Sequence, residues 1–305
     1  MVHIRSAQDD VEANVQREVF GKEAVTAFRE AYPGRALHLT HGLAGHPLLE
    51  LSALADLAGR LRPEDLEHNA ATDLPLGIAY EDTPSNGLSV HDTIANIASC
   101  GSWVLLKQVQ QDPAYRDLLH AVLAELRPEI EPVTGEMLKL VAFIFISSPK
   151  AVTPLHFDPE YNILFQIRGT KTMTIFPAED AEIVTQEFRE RYYNGGSRNL
   201  PWQEEWSRRG RDIHISPGEG IYVPILAPHW VRTHGEVSVS LSLTWRSEWS
   251  FHQEDAHRFN SRLRRWGLNP RAPRFFPREN IAKSLAQRAL ARLERKFTTA
   301  ATKES

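Results

Sequence analysis

The sequence is poor in sulfur: among its 305 residues there are one cysteine, Cys100, and three methionines. A lone cysteine excludes an intrachain disulfide and fits a reducing compartment. Long apolar runs are also missing. None approaches the ~18 residues of a membrane span, and the opening stretch "MVHIRSAQDDVEANV" has no apolar core of a secretion signal. The expectation is a cytoplasmic protein with no membrane partner. Positive charge is not in excess either: 35 Lys and Arg stand against 39 Asp and Glu, a formal charge of -4. That balance argues against a general nucleic-acid binder. No internal repeat or low-complexity stretch breaks the chain.

What is present is the composition of an ordinary globular protein, 42% hydrophobic and 24% charged. Residues 1–135 read mainly as helices with a few strands, a region expected to pack on the remainder of the chain. "HPLLELSALADLAGRL" (46–61) has apolar residues at helical spacing, with Pro47 suited to a first turn. "SVHDTIANIAS" (89–99) opens on a Ser89 cap, and "DPAYRDLLHAVLAEL" (112–126) is amphipathic. "ALHLTHG" and "SWVLLKQV" read as strands.

From about residue 136 the pattern changes. "MLKLVAFIFISS", "TPLHFD", "NILFQIRG", "TKTMTIFP", "DIHISP", "GIYVPI" and "VSVSLSLTW" are short β-rich runs bounded by turn residues, the signature of a sandwich or barrel. The "RGTK" corner at 168–171 reads as a tight hairpin. An insert, roughly 178–211, holds a charged helix and the turn-rich "NGGSRNLP". The expected organisation is therefore a helical N-terminal region (1–135), a barrel (136–249) carrying the 178–211 insert, and a helical tail (250–305). It forms one barrel with helical flanks rather than separable domains.

Within the barrel, "TPLHFDPEYN" places His156 and Asp158 two apart on a strand, so both point to one side. Burying them is costly unless something pairs with both, and a divalent metal does. Two histidines and one carboxylate on one face is the ligand set of non-haem ferrous sites. The third ligand should come from a neighbouring strand. His229, in "APHWVRTHG", follows a Gly turn, an apolar strand and a Pro, and is preferred to His234, which sits beside Gly235 at the next turn. An H-x-D triplet alone occurs often by composition. The other histidines, including His41 and His46 in "LTHGLAGHP", read as structural or exposed.

Lys171 is the next signal. Alternation in "KTMTIF" puts it on the face of Met173 and Ile175, where an amine needs an anionic partner. An anionic ligand is one answer; a strand-end lysine reaching water is the other. Asn162 and Thr153 stand near enough in sequence to add hydrogen bonds. Ser238, Ser240 and Ser242 make a small hydroxyl face, either roomy for a polar ligand or simply solvated.

Taken together, "TPLHFDPEYNILFQIRGTKTMTIFP", "PGEGIYVPILAPHWV" and "VSVSLSLTW" resemble the JmjC/cupin-8 family of Fe(II)- and 2-oxoglutarate-dependent oxygenases, nearest in pattern to its asparaginyl hydroxylases. The match spans about 137 to 246. The resemblance implies a mainly β fold with helical flanks, a double-stranded β-helix (jelly-roll, cupin-like) barrel. It implies iron held by His156, Asp158 and His229, the centre where the chemistry occurs. It implies 2-oxoglutarate held by Lys171, with Thr153 and Asn162 bonding to it and Ser242 where the asparaginyl hydroxylases carry an asparagine. O2 would be the co-reactant, succinate and CO2 the products, and a hydroxylated protein side chain or small molecule the outcome. The tyrosine that the family often adds is absent around Phe143 and Phe145, which leaves Tyr80 as a candidate. A non-catalytic binding module, or a cupin with another metal chemistry, is the alternative.

Two regions are left open by the sequence. Tyr192, Tyr193, Trp202 and Trp206 in the insert either line a substrate groove or pack the insert down, with Gly195 and Gly196 allowing a lid. From Arg258 to Lys296 ten arginines and two lysines face only Glu279 and Glu294. This reads as a solvated helix face, with a surface for nucleic acid or another acidic partner as the alternative, and with Ile281, Leu285 and Leu293 forming a stripe against another subunit or the barrel. By the resemblance, the C-terminal helices make a homodimer.

Overall fold

The computed structural model describes residues 18–72, 74–79 and 82–301, with the side chains of 296–301 left aside. Eleven strands are found among them, all paired antiparallel, in two sheets. The first has seven strands in the order β1 (Leu37–Thr40), β9 (Glu219–Val223), β6 (Tyr161–Arg168), β11 (Ser238–Arg246), β4 (Leu138–Ser147), β3 (Ser102–Leu106) and β2 (Leu66–Ala70). The second has four: β5 (Val152–His156), β10 (His229–Thr233), β7 (Lys171–Ile175) and β8 (Arg211–Ile215). The fold is thus the mainly β, cupin-like one expected, built as two facing sheets with no hydrogen-bonded closure into a barrel among the described residues. Three strands of the N-terminal region, β1 to β3, extend the larger sheet at both edges.

Alternation along the strands decides what each face does. On β11, Val239, Leu241, Leu243 and Trp245 join the large core, as do Ala142, Ile144 and Ile146 of β4 and Val104 and Leu106 of β3. Helices cover that outer face with Phe28 of α1 (Lys22–Ala31), Leu54 and Leu57 of α2 (Leu51–Ala58), and Leu119, Val122, Leu123, Leu126 and Ile130 of α4 (Pro113–Thr134). Between α2 and α4 lies α3 (Val90–Ala95), capped by Ser89, whose hydroxyl accepts from the Asp92 amide as its sequence suggested. The helix of "DPAYRDLLHAVLAEL" runs on through Pro128 and Pro132, because Leu126 and Ile130 continue its buried stripe. Leu164, Met173, Ile175, Ile213, Ile215, Ile221, Val223 and Val231 form a second cluster, made of side chains from both sheets.

The 168–171 corner is not a hairpin. Strand β6 pairs with β9 and β11, and β7 with β8 and β10, so the chain crosses there from one sheet to the other. Gly169 makes the crossing possible: its φ is +68°, and a Cβ there would stand 2.4 Å from the Val237 carbonyl oxygen.

In the insert, α5 (Gln186–Tyr192) is shorter than the charged run suggested. Its aromatics pack it down: Tyr193 and Trp206 belong to the large core, and Tyr192 and Trp202 lie against it. The tail forms α6 (Glu248–Arg265) and α7 (Ile281–Ala301), packed together. Its arginines pair largely within the chain, Arg262 with Glu294, Arg258 with Glu254, Arg264 with Glu190 and Arg288 with Asp255. Ile281, Leu285 and Leu293 remain exposed rather than packed on the sheets. No helix of the described residues is long and apolar enough to cross a membrane.

Candidate metal centre

Strands β5 and β10 are neighbours, and His156 and His229 face each other in register. Asp158 follows two residues after the end of β5, its carbonyl oxygen fixed by the Leu226 amide at 2.8 Å. The result is one cluster: a ligand atom from each of His156, Asp158 and His229 lies within 4.8 Å of the others. Asp158 Oδ2 is 3.7 Å from Nε2 of both histidines. Cis ligands around a first-row metal lie about 3 Å apart, so a small inward movement completes the set.

The backbone sets which nitrogen each ring offers. His156 Nδ1 is 2.8 Å from the Pro154 carbonyl and His229 Nδ1 is 3.0 Å from the Ala227 carbonyl. A carbonyl only accepts, so Nδ1 carries the proton in both rings and Nε2 presents its lone pair to the cluster. Metal-binding histidines are oriented in this way. Protonation agrees. Burial, reinforced by neighbouring His229 and Arg198, pushes His156 down to about 3 despite Asp158 beside it. Burial likewise lowers His229. For Asp158 burial acts upward, but Arg198 and the two histidines outweigh it and hold the carboxyl at about 2. The cluster therefore stands as two neutral imidazoles and a carboxylate at neutral pH, the state a cation requires.

A cavity of about 120 Å³ opens on this cluster. That is room for a small molecule rather than a single water. Thr153, Asn162, Lys171 and Ser242 all line it together with the His-Asp-His cluster, whereas Ser238 and Ser240 do not. Lys171 is 4% exposed, and burial alone lowers its amine to about 7. Among the described residues it has no ion-pair partner, so the strand-end reading fails and an anion is still wanted. On the other face of β7, Thr172 bonds His214 and His234, which places His234 outside the cluster. The hydroxyl face of β11 turns inward: Ser240 donates to Gln166, and Ser242 donates to Asn162 Oδ1 at 2.8 Å. Spending Asn162 Oδ1 on that bond leaves its amide Nδ2 for a ligand.

Some lining residues escaped the sequence reading. Trp103 and Leu105 come from β3 and Ser147 from β4, the strand where the missing tyrosine was sought; Tyr80 lies outside the described residues. Arg198 comes from the insert and pairs with Asp158 Oδ1 at 2.6 Å. It is delivered there because Asn199 bridges His156 and the Leu200 amide donates to the Leu155 carbonyl. None of the four insert aromatics lines this cavity. Glu160, inside the motif itself, does. Its only sequence signal is its place two residues after a candidate ligand.

Two facing antiparallel sheets with a His-Asp-His cluster between them define a cupin class of protein. Residues 95–251, slightly more than half of the chain, match the model of the cupin-like domain, and the chain belongs to that family (Cupin 8). Among solved structures it is similar to Escherichia coli YcfD, at 15% identity and a TM-score of 0.50, covering 91% of this chain and 69% of that one. A second YcfD structure, described as a ribosomal oxygenase, matches at 16% identity and TM-score 0.48 over 91% and 68%. A third, in complex with cobalt and 2-oxoglutarate, matches at 15% and 0.46 over 91% and 67%. At such identities the likeness speaks to the fold.

Proposed function

We propose that this chain is an Fe(II)- and 2-oxoglutarate-dependent oxygenase that hydroxylates a protein side chain or a small molecule. The observation that carries this reading is one cavity holding both a His-Asp-His cluster and a buried lysine with no ion-pair partner among the described residues. A metal alone would leave Lys171 unexplained; a dicarboxylate that also reaches the metal explains both.

The residues present fit the iron and its cosubstrate. His156 Nε2, His229 Nε2 and an Asp158 carboxylate oxygen would hold Fe(II) on one face, leaving other positions open. When bound, iron supplies the activation of O2 that splits 2-oxoglutarate into succinate and CO2 and places one oxygen atom in the substrate C–H bond and one in succinate. The chain's own part is binding and exclusion. Lys171 would pair with the distal carboxylate, Thr153 and the Asn162 amide would add hydrogen bonds, and Ser242 orients Asn162. Phe143, Phe145 and Leu164 line the same space and limit water.

The test is anaerobic reconstitution with Fe(II) followed by 2-oxoglutarate. A weak visible charge-transfer band is expected, absent in His156→Ala and weakened in Lys171→Ala. Iron binding without a band overturns the oxygenase reading in favour of another cupin chemistry. No iron binding leaves a non-catalytic ligand-binding module.

Two finer points belong to the same proposal. The protein works as a homodimer through α7, whose Ile281, Leu285 and Leu293 are exposed; Leu285→Glu should halve the mass seen by light scattering. It works in the cytoplasm, where a single free cysteine and ferrous iron both stay reduced.

A further inference from the structure

The face of β7 turned away from the cavity carries a second meeting of histidines. Lys171 and Met173 line the cavity, so Thr172 and Thr174 point outward. Thr172 stands opposite His214 of β8 on one side and Arg232 of β10 on the other. His234 follows the end of β10, and its backbone is pinned twice. Its amide donates to the Thr170 carbonyl and its carbonyl accepts from the Lys150 amide, both at 3.0 Å. Three segments distant in the chain thus bring two rings to one hydroxyl: His214 Nδ1 is 2.6 Å and His234 Nε2 2.8 Å from Thr172 Oγ1.

That hydroxyl has a single proton, so it donates to one ring and accepts from the N–H of the other. No hydrogen bond among the described residues holds the second nitrogen of either ring, so each ring can carry its proton there instead. Both lone pairs are then free to face the same point, a donor set that suits a late first-row divalent ion. The spacing is close to what such an ion needs. The ring centroids are 6.3 Å apart. Two imidazoles on a tetrahedral ion, with bonds of ~2.0–2.1 Å, stand about 5 Å apart by centroid. Both side chains are exposed, and an approach of about 1 Å closes the difference. The surrounding charge does not oppose a cation. Arg232 lies over the Trp230 ring at 5.3 Å, turned toward the start of β10 and away from His234. Asp212, two residues before His214 on the same face, adds negative charge and accepts from Thr174.

We propose that His214 and His234 form a second metal site, for a zinc-like divalent transition ion, on the outer face of the small sheet and separate from the cavity. Water would fill the remaining positions, because among the described residues only the His156 cluster gathers three ligand groups. The ion would brace β8 and the end of β10 across β7, the strand that carries Lys171. An oxygen-seeking ion such as Mg(II) finds too few oxygens there. The site stands whether or not the chain is an oxygenase.

Equilibrium dialysis against Zn(II), with Mg(II) in large excess to cover stray carboxylates, tests it. The wild-type protein should take up two equivalents, the second more weakly because it has two protein ligands rather than three. His156→Ala should lose the tighter equivalent and keep the weaker one. His214→Ala and His234→Ala should each do the reverse. Zn(II) should also raise the melting temperature of His156→Ala, since an ion that binds only the folded chain stabilises it. That rise should vanish when His214→Ala is added, with circular dichroism showing that the fold is kept. A single equivalent on the wild-type protein, lost with His156→Ala, overturns the proposal. So does a second equivalent that survives either His214→Ala or His234→Ala. If no 2-oxoglutarate band forms while two zinc equivalents bind as expected, the oxygenase reading fails and this site remains.

Discussion

Two groups of buried histidines in this molecule look alike by burial and differ in what surrounds them. His156 and His229 sit between the sheets; His257 lies on α6, 1% exposed and stacked on Tyr193 with ring centroids 5.4 Å apart. Burial, aided by Arg189 and Lys283, pushes His257 down to about 3, as low as His156. Yet among the described residues neither nitrogen of His257 has a hydrogen-bond partner, whereas each histidine of the cluster is tied through Nδ1 to a carbonyl. A depressed histidine pKa alone therefore marks desolvation. Convergence of oriented lone pairs on a carboxylate marks a site.

The largest effect that separates the two should come from the cluster. Asp158→Ala or His156→Ala should lower Fe(II) affinity by more than the roughly 10–100-fold typical of losing an outer partner, measured by metal titration. The protein should remain folded by circular dichroism.

Lys171 comes next. Lys171→Met should raise the 2-oxoglutarate concentration needed for half-maximal turnover by roughly 30-fold or more, as truncating a buried charge pair does. The same change should raise the melting temperature of the protein without cosubstrate, and the gain should depend on pH. The amine titrates near 7 when folded and near the ordinary 10.5 when unfolded, so the unfolded chain binds more protons between these values. Wild-type stability therefore rises with pH across that window. The advantage of the methionine variant should be full below about pH 7 and fade toward pH 10.5. A pH-independent gain would mean that the amine is not desolvated.

A smaller effect concerns protons at the cluster. With Asp158 held at about 2 and His156 at about 3, the ligands need not shed protons at mildly acid pH. Zn(II) affinity should change less than about threefold between pH 7.5 and 6, where a histidine of ordinary pKa near 6.5 would already compete. A steep loss by pH 6 would show that burial is not protecting the rings.

The smallest change is expected at His257. Replacing it by leucine removes two unpartnered buried nitrogens, so stability should stay equal or rise by about 1 kcal/mol in denaturant titration. Metal affinity should not change. A marked loss of either would show that His257 has a partner of its own.

Much of the cluster was legible because its signals are local. The face of Lys171 follows from strand alternation; Asn162 was within reach by its closeness to Asp158 in the chain, and the two-residue spacing of His156 and Asp158 brings them together although Asp158 lies just past the end of β5. His229 was reachable through the Gly turn and Pro that deliver it. Other parts were not. Strand β2, "LEHNA", has no apolar alternation and exists because β3 offers it an edge. The 168–171 corner carries hairpin residues but joins two sheets, since β6 is already paired on both sides. Arg198 reaches Asp158 only because Asn199 and Leu200 seat the insert against β5. Long-range pairing of this kind leaves no periodic trace in the chain.

By itself, then, the sequence determined the strand faces, and with them which side chains turn inward: His156 with Thr153's strand, Lys171 with Met173, Ser242 between Leu241 and Leu243. A period of two is a property of the backbone and needs no partner. Tertiary structure alone decided that these faces meet around one cavity. It decided that Nδ1 of each histidine finds a carbonyl and that Arg198 takes one oxygen of Asp158. Each of those outcomes depends on where a distant segment comes to rest, which is set by pairing and packing between strands and not by any residue's neighbours in the chain.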